Sequence, residues 1–255
     1  MSRSSALLSV LLLSGALLAS CESKSVPAPP SAGTGKKVDA ATAGTIMGHV
    51  VLTGTPPPVE TIRMNSDPAC VQAGGATVKS DAVLVDASGH VANAFVYIKD
   101  GLDPSYSFDV PTEAVTLDQK ACGYVPHVTG VRVGQPLKIL NSDATLHNVH
   151  AMPMINQEFN HGQPQGAPPI TKTFTAPEVM VRFVCNVHGW MRAYIGVMAH
   201  PFWAVTDADG AFKIDGVPPG TYTIGVWHEK FGTLEQKVIL GDKQTSDLSF
   251  SFAVK

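Results

Sequence analysis

The chain has 255 residues, 18 of them basic and 21 acidic, for a formal charge of −3 at pH 7. A balance this close to neutral excludes the basic footprint that nucleic-acid binding requires. Charged residues make up only 15% of the chain, while Gly (23) and Pro (19) are plentiful, the composition of short strands and tight turns built into one large or two small cores.

Arg3 opens a short polar stretch, and Leu7 to Leu18 is apolar but too short to span a bilayer as a mature helix. It ends in Leu18-Ala-Ser-Cys21, which resembles a bacterial lipobox. The resemblance implies that residues 1–20 are a lipoprotein signal peptide and that Cys21 is lipidated as the new N-terminus. The alternative is an ordinary secretory signal with an incidental cysteine. Glu22, rather than Asp, follows Cys21, which by resemblance to lipoprotein sorting in enteric bacteria implies the outer rather than the inner membrane. The protein is therefore expected on the periplasmic side, attached to the membrane through lipid. Residues 21–43 are small, polar and Pro-rich and are expected to form a disordered tether holding the globular part roughly 25 Å from the lipid.

From Gly44 the pattern is β throughout, and no later segment shows ten or more residues of helical periodicity. Ile46 to Leu52 is a strand closed by Gly54-Thr-Pro-Pro-Pro58. Val83 to Ile98 reads as two strands around a turn at Asp86 to Gly89, and Ala204 to Ile214 as a hairpin with an Asp-Gly turn. Val217 to Val226 is a turn and then a strand with Tyr222, Ile224 and Val226 on one face. Asp207-Ala-Asp209-Gly210 imitates the start of a calcium loop, but Ala211 and Phe212 occupy positions that such a loop needs for a ligand and a glycine.

These outer segments resemble the carboxypeptidase regulatory-like (transthyretin-like) β-sandwich. The resemblance rests on Gly44 to Val50, Asn93-Ala-Phe-Val96, Thr206 to Phe212 and Pro218-Pro-Gly-Thr-Tyr222. It implies an all-β chain in which residues 44–104 and 201–255 form one discontinuous sandwich interrupted by a second domain, 105–200. Insertion at an exposed turn is tolerated because the termini of compact domains often lie close together.

Chemistry concentrates in that second domain. Val179 to Val184 is an alternating strand ending at Cys185, and a short loop then brings His188 and Met191 within reach of the same point. Upstream, Asn141 to His150 supplies a further imidazole at the end of an apolar run. One thiolate, two imidazoles and a thioether are the ligands of a mononuclear blue-copper electron-transfer site, in which Met is the weak partner. A lone Cys-x-x-His would be weak evidence, and zinc lacks a Cys-x-x-Cys pair here. The competing bland reading is a core Cys and a core Met beside a surface His. His147 and His150 fall on opposite faces of a strand, so one of them is expected to reach the metal.

The segment also resembles a cupredoxin, the blue-copper Greek-key sandwich, through Tyr124 to Asp143 and the loop Cys185-x-x-His188-x-x-Met191. The loop is most similar to that of amicyanin, with Gly189-Trp190 as a departure. The resemblance assigns His147, Cys185, His188 and Met191 to one type 1 copper, makes Asn148 a hydrogen-bonding support of the loop, and places His188 at the solvent-facing edge through which electrons leave. It further implies a c-type cytochrome or dehydrogenase as redox partner, with Trp190 either docking that partner or capping the metal from water.

With Cys21 assigned to lipid and Cys185 to metal, Cys70 and Cys122 remain, and in an oxidising compartment a leftover pair is most simply a disulfide. A second metal site using Cys122 and His127 is the competing reading. Electron transfer is the leading expectation for function, and no enzyme activity is expected. Copper oxidases and nitrite reductases pass electrons from the Cys to a flanking His, whereas Val184 and Asn186 flank Cys185. The alternatives are a copper chaperone or storage lipoprotein, with Met152 and Met154 as a loading patch, and a carbohydrate- or cell-wall-binding sandwich using Trp203, Tyr222 and Trp227.

Overall fold

The computed structural model describes residues 35–254. The expected signal peptide (1–20), the expected lipidation site Cys21 and the expected tether up to residue 34 lie outside the described residues. In chain order the first elements are β1 (Gly44–Thr53), β2 (Thr61–Arg63), α1 (Pro68–Gly74), β3 (Thr77–Lys79), β4 (Phe95–Asp100), β5 (Val115–Lys120) and β6 (Gly123–Val125). There follow β7 (Val128–Arg132), β8 (Leu137–Asn141), β9 (His147–Met152), β10 (Phe159–Gln163), β11 (Ile170–Lys172) and β12 (Glu178–Val184). The last are β13 (Arg192–Met198), β14 (Trp203–Val205), β15 (Ala211–Val217), β16 (Gly220–His228), β17 (Gly232–Leu240) and β18 (Thr245–Ala253). No helix among the described residues is long and apolar enough to cross a membrane.

The strands form two β-sandwich lobes. The outer lobe packs a sheet ordered β15-β1-β18 against one ordered β14-β4-β16-β17. Its core draws on alternate residues of β1 (Ile46, Val50, Leu52) and of β16 (Tyr222, Ile224, Val226), all buried, the period-2 pattern of strands with one face inward. β1 runs parallel to β18 so closely that a Cβ on Gly48 would lie 1.8 Å from the Leu248 carbonyl oxygen; only glycine fits there. The inner lobe sets β10-β9-β12-β13-β7 against β11-β8-β5-β6 around a second core that includes Leu117, Leu137, Ile139, Phe183 and Ile195.

The lobes meet through a matched pair of glycines. β13 and β7 run parallel with Gly196 opposite Gly130, leaving a hollow that receives two rings from the outer lobe, Phe95 and Trp203, stacked 5.4 Å apart. A Cβ on Gly196 would sit 2.4 Å from Phe95 Cζ, and one on Gly130 2.6 Å from Trp203 Cε2. Trp227 packs on Tyr194 at the same junction, with ring centroids 4.8 Å apart. Tyr222 is buried and its hydroxyl donates to the Pro218 carbonyl. The three aromatics of the sugar-stacking alternative are thus engaged in internal packing.

Three local expectations are corrected. Residues 204–214 do not form a hairpin: β14 pairs with β4 while β15 pairs with β1, so the Asp207–Gly210 turn carries the chain from one sheet of the outer lobe to the other. Residues 35–43 are fastened to the protein rather than free. The Lys36 amide donates to the Ser105 carbonyl, the Ser107 amide to that of Lys36, and Val38 packs against the outer core. The segment with β2, α1 and β3, assigned by sequence to the outer sandwich, forms a small cluster of Met64, Cys70 and Cys122 with Ile62, Val78 and Trp190, and so lies against the inner lobe.

The outer core also carries a pH signature. His228 is buried, with its ring stacked 4.5 Å from Phe231, and burial pushes its imidazole down to about 4, against about 6.5 in an unfolded chain. The folded state therefore binds fewer protons than the unfolded state between these values. On this account His228 costs no stability above about pH 6.5, and its contribution to the loss grows to roughly 3 kcal/mol as pH drops toward 4. Urea midpoints at pH 7 and pH 4.5 are expected to differ less in His228→Gln than in the natural protein; parallel losses would remove His228 as the cause.

Candidate metal centre

Three ligand-type side chains converge at one end of the inner lobe. His147 opens β9, Cys185 follows the end of β12, and His188 sits in the loop before β13. All three are buried, with one nitrogen or sulfur atom from each within 4.8 Å of the others. His147 Nδ1 lies 2.9 Å from His188 Nδ1, and His188 Nδ1 lies 4.0 Å from Cys185 Sγ. Met191 is buried in the same apolar cluster as Cys185. Backbone bonds fold the loop back on itself, since the Met191 amide donates to the His188 carbonyl (2.9 Å) and the Cys185 amide to that of Met191 (3.4 Å). The His188 amide donates to Cys185 Sγ (3.3 Å).

The far nitrogen of each ring faces a carboxylate. His147 Nε2 lies 2.9 Å from Asp143 Oδ2 and His188 Nε2 3.0 Å from Asp67 Oδ2. With the proton on Nε2 in each ring, as a carboxylate partner requires, both Nδ1 atoms present lone pairs to one another. Burial pushes the His147 imidazolium down, with the Asp143 bond opposing it. Two facing lone pairs beside a buried thiol are an arrangement that a cation completes. Two nitrogens and a sulfur suit a copper or zinc ion rather than magnesium or calcium, which take oxygen ligands.

Asn148 braces the loop. Its Oδ1 accepts the Asn186 amide (2.6 Å) and the Val187 amide (3.2 Å), and lies 3.4 Å from Cys185 Sγ. Its Nδ2 donates to Asn186 Oδ1 and Asn160 Oδ1. His150 points away from the cluster and pairs with Glu158 (2.6 Å). Tyr124 spans the ligand strands, its hydroxyl donating to the Asn148 and Val184 carbonyls.

Cys70 and Cys122 are joined by a disulfide, and His127 pairs instead with Glu229, so the alternative Cys122–His127 metal site does not form. His188 is not at a solvent-facing edge. It is 3% exposed, covered by Asp67 and by Trp190, whose ring centroid lies 5.1 Å away. Trp190 is half-buried, donates Nε1 to the Cys122 carbonyl (3.0 Å) and lines a cleft of about 290 Å³.

Sequence reasoning missed both supporting carboxylates. Asp67 directly precedes a Pro at the start of α1 and accepts the Ala69 amide, a helix-start signature that a seven-residue helix leaves without periodicity to flag it. Asp143 accepts the amides of Ala121 and Cys122, two residues at positive φ (52° and 53°), and so holds a tight turn as well as a ring. Its spacing of four from His147 was the available signal.

Residues 196–253 match the carboxypeptidase regulatory-like domain family, which covers the C-terminal part of the outer lobe. No curated protein sequence matches the chain. Among solved structures, a copper-containing nitrite reductase from Thermus scotoductus SA-01 is similar over 39% of this chain and 25% of its own, at 18% identity and a TM-score of 0.32. The chain thus spans about a quarter of that enzyme. A purple cupredoxin from Nitrosopumilus maritimus is similar over 32% of this chain and 98% of its own, at 17% identity and a TM-score of 0.28. A reduced amicyanin variant is similar over 39% of this chain and all of its own, at 24% identity and a TM-score of 0.31. Likenesses this weak carry no argument, and the functional reading rests on the site's own side chains.

Proposed function

We propose that the inner lobe is a cupredoxin domain and that the protein carries single electrons. His147, Cys185 and His188 would hold one copper ion, with Met191 as a weak fourth ligand. Copper bound in such a donor set supplies a one-electron couple. The observation that carries this reading is the convergence of two imidazole Nδ1 atoms and one thiol in a buried pocket.

The protein's part is to hold the ligands still. Asp143 and Asp67 orient the two rings, Asn148 fixes the backbone on either side of Cys185, and the surrounding core keeps water away. Rigid ligands need little rearrangement when one electron arrives or leaves. A closed, braced site also suits retention of metal better than delivery, which separates this reading from a copper chaperone. By the same reading the domain is anchored at Cys21 on the periplasmic side of the outer membrane, exchanges electrons with a c-type cytochrome or dehydrogenase, and has no catalytic activity of its own.

The test is copper titration of the apo protein followed by voltammetry. An intense visible thiolate-to-copper band and a reversible one-electron wave are expected. Copper uptake with neither would overturn the reading.

A further inference from the structure

Asp67 belongs to a segment that precedes the inner lobe by sequence, yet its carboxylate ends 3.0 Å from the far nitrogen of His188. Its position is fixed from several sides. Oδ1 accepts the Ala69 amide (2.8 Å) at the start of α1, and Oδ2 accepts the Thr145 hydroxyl (2.8 Å) from the loop leading into His147. Cys70, buried in α1, is bonded to Cys122. The Cys122 amide is held in turn by the Asp143 oxygen that faces His147. One covalent bridge thus connects the supports of both imidazoles, and Asp67 of that segment meets the outer nitrogen of the buried His188 ring.

We propose that Asp67 is a positioning residue for His188, brought to the metal centre by the disulfide-anchored segment 61–79 and closing the outer edge of that imidazole. The inference rests on the copper reading above and extends it. By accepting the Nε2 proton, Asp67 leaves Nδ1 as the ligand atom and sets the ring's orientation. Its negative charge strengthens the imidazole as a donor and favours the more highly charged metal state, which lowers the reduction potential. Its packing over His188 slows escape of the metal.

Asp67→Asn and Asp67→Ala separate these effects, because Asn retains an acceptor oxygen without the charge and Ala retains neither. In the apo protein, nitrogen-15 NMR is expected to show a slowly exchanging His188 Nε2–H in the natural protein that is lost in Asp67→Ala. In the copper-loaded protein, Asp67→Asn is expected to keep the visible band while its potential moves positive. Asp67→Ala is expected to bind copper about 10- to 100-fold more weakly, the range for losing an outer partner of a ligand, and to release it faster to a chelator. Unchanged potential in Asp67→Asn together with unchanged release in Asp67→Ala would overturn the proposal, as would an unprotected His188 proton in the natural apo protein. A natural protein without the visible band would sink the copper reading instead, a result distinct from failure of the Asp67 contact, which the apo spectrum reads without metal.

Discussion

Cys185→Ser is expected to abolish the visible band of the copper-loaded protein and to weaken copper binding by more than about 100-fold. Loss of an outer hydrogen-bonding partner of a ligand typically costs 10–100-fold in affinity, and removing the sole thiolate among the converging atoms must cost more. A thiol beside a bound metal ionises readily near neutral pH, whereas a serine hydroxyl does not. The hydroxyl is smaller but has a similar shape, and the site offers it Asn148 Oδ1 and the His188 amide, which lie 3.4 and 3.3 Å from Cys185 Sγ. The fold should therefore survive, and an unchanged circular dichroism spectrum with lost colour isolates the effect to the metal. Retained colour and affinity would show that the sulfur is not a ligand.

Replacing Cys70 and Cys122 together by Ala is expected to lower the stability of the apo protein by about 4 kcal/mol in the chain-entropy account, given the 52-residue separation that the bridge closes. That is a large fraction of the 5–15 kcal/mol typical of a folded domain. The loss should concentrate in the segment 61–79, whose own strand pairing is internal and whose other attachments are the contacts of Asp67 with Thr145 and His188 and the small cluster around Met64. A urea series read by both tryptophan fluorescence and hydrogen exchange would show a lower midpoint and early exchange at Thr77–Lys79. An unchanged midpoint would mean that packing alone holds the segment.

Much of the molecule was legible because its signals are local. Alternation along β1 and β16 exposes their inward faces directly, and the strand ending at Cys185 followed by a short loop places a thiol and an imidazole together whatever surrounds them. His147 and His150 could be separated because strand geometry sends them to different faces, and His147 is indeed buried while His150 is partly exposed and paired with Glu158. The illegible parts are those decided by distant contacts. An Asp-Gly turn between alternating runs reads the same whether the second strand returns to its own sheet or crosses to the opposite one, which is why residues 204–214 were misread. Segment 61–79 has elements too short to show a period, and its destination is set by one covalent bond and by Asp67, which lies 121 positions from the ring that it supports. The solvent-facing placement of His188 failed for the same reason, since Asp67, one of the two groups that cover the ring, comes from outside the inner lobe.

The electron-transfer reading depends on side chains from two separated stretches binding one metal ion. Anomalous diffraction at the copper edge from crystals of the copper-loaded protein tests this directly. A single peak bounded by His147 Nδ1, His188 Nδ1 and Cys185 Sγ, with the Met191 sulfur on its remaining side, is the predicted result. A peak at another cluster of side chains, with these atoms left in the arrangement described, would contradict it.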